Sequence, residues 1–354
     1  METTAFGVNE TNRLCGIVVP LLSWYDENAR VLPWRENTEP YRVWVSETML
    51  QQTQVETVIP YYNRFMRQIP DIQSLAETGQ EKLFKLWEGL GYYTRARNLK
   101  KAAQTIMAKY NGRFPEAYGD ILSLPGIGKY TAGAIASICF GQPVPAVDGN
   151  VLRVAARLTG YDADISAPEV KDKVTGLLCG IYPKTRSGDF TQSLMELGAT
   201  VCLPKGSPKC GNCPVAFLCR AYQTGSQMSI PVKAKKRPRK KERKTVFLLH
   251  CGDKIAVRQR ETNTLLGGLW EFPNAVGDMT IKQAGHMLAQ WGISVATMAE
   301  GAHKKHVFTH VEWEMASYIV ICENMTAEFL WVTKDELTRE MTLPSAFQGF
   351  FSVV

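Results

Sequence analysis

The chain has 354 residues, more than one compact domain usually needs, and 45% of them are apolar, enough for true cores. No run of 18 apolar residues occurs, and METTAFGVNETNR lacks a basic stretch followed by an apolar one; a membrane span and a secretory leader are not expected, and a soluble cytoplasmic protein is. The net charge is +7, but residues 233–244 (KAKKRPRKKERK) hold nine Lys or Arg and one Glu. The other residues together sum to −1, so bulk basicity does not argue for a nucleic-acid partner.

Taken in chain order, the pattern up to Tyr222 is helical. Glu47 lies in YRVWVSETMLQQTQVETVI, a helix with unusually apolar surroundings, where a carboxylate is either an exposed face residue or a desolvated acid with a raised pKa. SLAETGQEKLFKLWEGLGYYTRARNLKKAAQTIMAKY spaces its apolar residues by three and four and is broken at Gly89 and Gly91. Leu124-Pro125-Gly126-Ile127-Gly128-Lys129 then joins a helix end, DILSL, to an amphipathic helix start, YTAGAIASI. Glycines there permit positive φ and bare the N–H groups of a helix N-terminus, an anion site to which Lys129 adds charge; an ordinary turn between helices is the plainer reading. Asp148 precedes the helix of NVLRVAARL, where an N-cap is its plain role. Two carboxylates in different environments, one acid and one anion, are what cleavage through an oxocarbenium ion requires.

Nine cysteines are present, and Cys15, Cys139, Cys179, Cys251 and Cys322 are scattered among apolar neighbours as expected for inert buried thiols. Cys202, Cys210, Cys213 and Cys219 cluster in VCLPKGSPKCGNCPVAFLC, which argues for a metal. Zinc and an iron–sulfur cluster both suit four thiolates; the absence of histidine and the compact loop favour the cluster, and with every ligand position filled either would be structural.

The basic run, with Pro238 and the preceding QTGSQMS, reads as a linker. Beyond it the pattern turns strand-like: TVFLLHCGDKIAVRQR has two apolar runs joined at Gly252-Asp253, and ASYIVICEN and FLWVT follow, with KQAGHMLAQWG a helix between. The expected fold is therefore multidomain. An all-α domain covers 1–226, with the four-cysteine loop at 198–222; a basic linker covers 227–244; an α+β domain covers 245–354.

SETMLQQTQV, GLGYYTRARNL, LPGIGKYTAG, VDGNVLRV and the four-cysteine loop, in this order, resemble the helix-hairpin-helix DNA glycosylases of the endonuclease III superfamily. More narrowly they resemble its MutY-type adenine glycosylases, which act on adenine mispaired with 8-oxoguanine. The likeness is dense over residues 15–222 and thinner beyond, where LLGGLWEFP resembles a Nudix-like domain. That domain lacks the Arg-Glu and Glu-Glu run of a metal-binding Nudix box, so no pyrophosphatase activity is expected. Strand-nicking relatives carry a lysine nucleophile one residue after the hairpin's basic residue; here Lys129 fills the preceding position and Tyr130 the nucleophile's place.

The resemblance implies a monomer that flips adenine out of duplex DNA with A:8-oxoguanine or A:G mispairs and holds a 4Fe-4S cluster on the four cysteines. It implies Glu47 as the acid at adenine N7 and Asp148 as stabiliser of the oxocarbenium ion or its transient covalent partner. Tyr130 and Asn150 would order the site, and Trp34, Arg35, Leu50 and Gln192 would line the adenine pocket. Gln52 and Tyr92 would wedge into the duplex; Gly126, Gly128 and Lys129 would grip its backbone. Phe308, Thr309 and His310 would sense the lesion. Two departures stand out: the first cysteine gap has seven residues where six are commoner, and Phe-Thr-His replaces the usual Phe-Ser-His. The competing readings are an endonuclease III-like pyrimidine glycosylase with lyase activity and a non-catalytic DNA-binding module. The work would be done at the nucleoid, and the basic linker is left to contact DNA or another repair protein.

Overall fold

The structure, a computed structural model, describes residues 13–234 and 238–351, so residues 235–237 of the expected linker lie outside the described residues. Its helices are α1 (Val18–Asn28), α2 (Pro40–Leu50), α3 (Val55–Gln68), α4 (Ile72–Glu77), α5 (Gln80–Trp87), α6 (Thr94–Tyr110), α7 (Tyr118–Ser123) and α8 (Lys129–Phe140). They continue as α9 (Gly149–Thr159), α10 (Pro168–Cys179), α11 (Ser187–Thr200), α12 (Arg220–Gln223), α13 (Ile281–Gln290), α14 (Lys334–Glu340) and α15 (Ser345–Gln348). Two compact units result: residues 1–77 with 98–235, and residues 78–97 with 236–354. The break at Gly89 and Gly91 is where the sequence placed it, both residues having positive φ between α5 and α6.

Small side chains set the centre of the first unit. In α8, Thr131 through Ser137 are all buried, so this helix is not the amphipathic one expected; its Ala and Gly residues let neighbours approach from every side. A Cβ on Gly133 would lie 2.3 Å from the Pro145 carbonyl oxygen. That close approach sets the extended segment carrying Ala146, Val147 and Asp148 against α8. α2 begins with Pro40 at its first turn, capped by the Glu39 carboxylate, which accepts from Tyr41 N and Arg42 N. Val43 through Met49 are then buried in succession, so Glu47 has no solvent-facing side to occupy.

In the second unit β1 (Lys240–Cys251), β2 (Lys254–Gln259), β3 (Trp270–Glu271), β4 (Asn274–Val276), β5 (Val295–Val307), β6 (Val311–Cys322) and β7 (Leu330–Thr333) form one sheet, ordered β3-β2-β1-β6-β5 along its main path. The hairpin at Gly252-Asp253 pairs Cys251 with Lys254. Thr245–Leu249 in β1 are buried on both faces, as a central strand parallel to β6 should be. Trp313, Phe272, Phe347 and Phe350 pack on one face and Phe247, Tyr318 and Leu288 on the other.

Other expectations also differ from the structure. The linker was placed at 227–244, yet β1 already starts at Lys240, because Lys240–Lys244 pair in register with Val311–Met315. Their charges are met across the ladder: Lys241 lies 4.0 Å from Glu312 and 3.9 Å from Glu314, and the Lys244 ammonium sits 4.6 Å from the Trp313 ring centre. β5 escaped the sequence reading because it pairs only with β6 and exposes most of both faces, so it has no apolar alternation. Cys15 and Cys179 are exposed rather than buried. α13, IKQAGHMLAQ, contains no Asp or Glu.

Candidate active site

Within the first unit a cavity of about 260 Å³ opens between α2, the α8 start, the Asp148 turn and α11. This is near the lower end of small-ligand pockets, about 300 Å³. Glu47, Asp148, Tyr130, Asn150, Trp34, Arg35, Leu50 and Gln192 all line it, so every residue expected to act on the base or the sugar meets there.

Glu47 is 6% exposed, and burial pushes its carboxyl up to about 7; the nearby Asp148 charge pushes the same way, and the Tyr130 hydrogen bond pulls back. The Tyr130 hydroxyl donates to Glu47 Oε2 at 2.5 Å. That leaves Oε1 as the free oxygen for a proton. Tyr130 itself is held far on its neutral side by burial and by Glu47.

Asp148 caps α9, accepting from Val151 N at 2.7 Å, so the cap reading and the site reading both hold at one residue. Asn150 Nδ2 donates to its other oxygen at 2.9 Å. Burial raises the Asp148 pKa, while the donors on Val151 and Asn150 pull it down. Asp148 accepts from Val151 N and Asn150 Nδ2, where Glu47 accepts from one hydroxyl.

Sequence reasoning missed Arg30 and Glu196. Glu196 has no exposed side-chain surface and receives Arg30 Nε at 2.5 Å and Arg35 at 2.8 Å. Burial would raise its pKa, but the two guanidinium groups outweigh that and lower it. Both residues line the cavity, and Glu196 thereby fixes Arg35 on the cavity wall. A signal was available: Gln192 and Glu196 are four apart on α11 and share a face.

The hairpin places Gly126 at φ +77°, where a Cβ would come 2.4 Å from the Asn98 side chain. Gly128 differs from the expectation, since its φ is −97° and a Cβ there would meet open space. It is the N-cap of α8 without a side-chain cap, so the first N–H groups of α8 point outward unclaimed by a side chain. Lys129 pairs with Asp172 at 2.9 Å, both side chains largely exposed.

Gln52 and Tyr92 are exposed non-glycine residues with φ of +61° and +49°. Such backbone is costly and concentrates at functional loops. Tyr92 belongs to the second unit, where its hydroxyl lies 2.8 Å from Thr309 Oγ1. Phe308 meets Trp313 edge to face with ring centres 4.8 Å apart, while Thr309 and His310 are exposed.

The four clustered cysteines line one small cavity of about 30 Å³. Burial pushes the Cys213 thiol up to about 12 and also raises Cys210 and Cys219, each further raised by neighbouring cysteines. Among the described residues no three His, Cys, Asp or Glu are arranged to hold a single metal ion. Arg157 donates to Cys202 Sγ at 3.2 Å. Arg153 donates to the Cys202 carbonyl at 2.8 Å and to Asn150 Oδ1 at 2.9 Å, tying the cysteine loop to the residue that orients Asp148.

Residues 45–178 match the family described as HhH-GPD superfamily base excision DNA repair protein, and residues 245–352 match the NUDIX domain. The chain is 35% identical to the adenine DNA glycosylase of Rattus norvegicus, covering 94% of this chain and 77% of that one. It is likewise 35% identical to the Homo sapiens adenine DNA glycosylase, covering 89% and 70%. A solved thermostable thymine-DNA glycosylase superimposes with a TM-score of 0.54 and 29% identity, covering 61% of this chain and 98% of its own.

Proposed function

The chain belongs to the adenine DNA glycosylases, and from that premise we propose that it removes adenine opposite 8-oxoguanine, and also opposite guanine, leaving the DNA strand intact. The observation that carries this reading is one cavity lined by Glu47, Asp148 and Tyr130 and containing no lysine. A base flipped from the stack enters it. Glu47, protonated near neutral pH because it is buried, donates from Oε1 to adenine N7. The C1′–N9 bond breaks, its electron pair leaving with the protonated base. Asp148, anionic under its N-cap donors, faces the positive charge that develops on the sugar. Water then bonds to C1′ and gives up a proton, so the products are free adenine and an abasic sugar. Asn150 holds Asp148 in register, and Tyr130, bonded to Oε2, keeps the Glu47 proton on the other oxygen. With a phenol in the nucleophile's place, no amine is available to form an imine with C1′. Gly126, Gly128 and Lys129 present the α8 N-terminus to a DNA phosphate, and Phe308, Thr309 and His310 meet the base opposite adenine.

The donor set of Cys202, Cys210, Cys213 and Cys219 fits a 4Fe-4S cluster. Sulfurs around a single zinc sit about 2.3 Å from it and so crowd together, whereas here four thiols ring a cavity. A cluster bound there would supply a structural crosslink to a loop that Arg157 contacts at Cys202 Sγ and that Arg153 ties to Asn150.

Cleavage of an A:8-oxoguanine duplex, read with and without alkali, tests the reading. Adenine release with strand breaks appearing only after alkali is expected; breaks without alkali or heat would refute it. Tyr130→Lys is expected to gain a borohydride-trappable DNA adduct, since it returns an amine to the site.

A further inference from the structure

Cys251 and Cys322 end neighbouring strands of the second unit. β1 and β6 run parallel, and their pairing continues without a break as far as His250 opposite Ile321. One residue further on, the two strands finish on Cys251 and Cys322, the next rung of the same ladder. Alternation along each strand decides where the thiols point. Leu249 in β1 and Val320 in β6 face the core that Ala284 and Leu288 of α13 cover; two residues on, both cysteines pack into that same core. Adjacent strands are about 4.8 Å apart, inside the Cα separation of about 4.4 to 6.8 Å that a disulfide spans. Burial pushes the Cys322 thiol up to about 11, and the Cys251 sulfur near it pushes the same way.

The two thiols differ in access. Cys251 is half-buried beside the Gly252-Asp253 turn, whereas Cys322 is 5% exposed. An outer thiol within reach of a reagent, backed by an inner one, is the arrangement of an attacking and a resolving cysteine. We infer that Cys251 and Cys322 are a reversible thiol–disulfide pair, oxidised by a small disulfide of the glutathione class. The Cys251 thiolate bonds to one sulfur of the oxidant and expels the other as a thiolate. The Cys322 sulfur, giving up its proton, then bonds to the Cys251 sulfur and expels the second small thiol with the electron pair of the broken bond. The protein loses two electrons and two protons, and the oxidant becomes two thiols. The bond would join β1 to β6 and close a loop through β2, β3, β4, α13 and β5, stabilising the unit chiefly by restricting its unfolded chain. Neither cysteine lines the active-site cavity or the four-cysteine cavity, so the pair does not rest on the excision chemistry.

The test treats the full-length holoprotein, as wild type, Cys251→Ser and Cys322→Ser, with oxidised glutathione and maps its peptides by mass without reduction. Wild type should give the linked Cys251 and Cys322 peptides. Cys322→Ser should instead retain one glutathione on Cys251, and Cys251→Ser should show neither product. The denaturant midpoint of oxidised wild type should rise and return on reduction, while that of treated Cys322→Ser should not rise. Glutathione left on Cys251 in wild type, a link from Cys251 to any other cysteine, or no reaction at either thiol would overturn the inference. A linked protein with an unchanged or lower midpoint would overturn the stabilising role.

Discussion

Each unit contains a buried glutamate braced by two arginines. In the first, Glu196 joins Arg30 and Arg35; in the second, Glu271, 3% exposed, joins Arg258 at 3.0 Å and also Arg260. The arrangement is the same, a buried carboxylate paired with two guanidinium groups. Its surroundings differ. Arg35 lines the cavity that holds Glu47 and Asp148, whereas Arg260 lies 5.4 Å from the Trp313 ring centre, behind the Phe308 turn. An ion cluster therefore reveals nothing about function by its composition; what it touches decides.

The largest effect expected in either region is on chemistry alone. Glu47→Gln should slow adenine excision about 10²- to 10⁴-fold, the range for a lost general acid, and a variant that cleaves like wild type in single-turnover assays would remove Glu47 from its role. The comparison itself is tested by Glu196→Gln and Glu271→Gln. Each leaves two partly exposed arginines without their buried anionic partner and should cost about 1–3 kcal/mol of stability, measured by denaturant melts. Only Glu196→Gln should also slow cleavage per folded molecule. If both variants slow it, or neither does, the distinction between the two clusters fails.

A pH series sharpens the same contrast. The Glu47 pKa is raised by burial from 4.5 to about 7, so its proton stabilises the fold at low pH and that contribution is lost as pH rises from about 4.5 through about 7. The loss is on the order of 3 kcal/mol, and Glu47→Gln should flatten it. The cleavage rate should fall above about pH 7 as the acid ionises. A rate still rising with pH through 8 would contradict an acid at this position. Smallest is the exposed Lys129–Asp172 pair: Asp172→Asn should leave the melting curve unchanged.

Much of the active site was legible because its parts are local. An Asp before a helix start, a Pro-Gly-x-Gly turn and four closely spaced cysteines declare their geometry within a few residues. Capping and turn formation depend on neighbours in the chain. Gly128 shows the limit, since the letter suggests positive φ and the backbone does not take it. The strand at Lys240–Lys244 shows another: a run of like charges reads as a solvated linker until Glu312 and Glu314 arrive from β6 to meet it. The edge strand β5 was silent because nothing on either face demanded apolar residues.

By itself, the sequence determined the chemistry available: a phenol next to the hairpin's lysine, two carboxyls, a four-thiol loop and a Pro-Gly-x-Gly turn. Tertiary structure alone decided how those groups act. Tyr130 reaches Glu47 across 83 positions, Glu196 braces Arg35 across 161, and Tyr92 meets Thr309 across 217. No local rule encodes such contacts, because they exist only once helices and strands have packed. The pKa of Glu47 was settled the same way, by the solvent that packing removed.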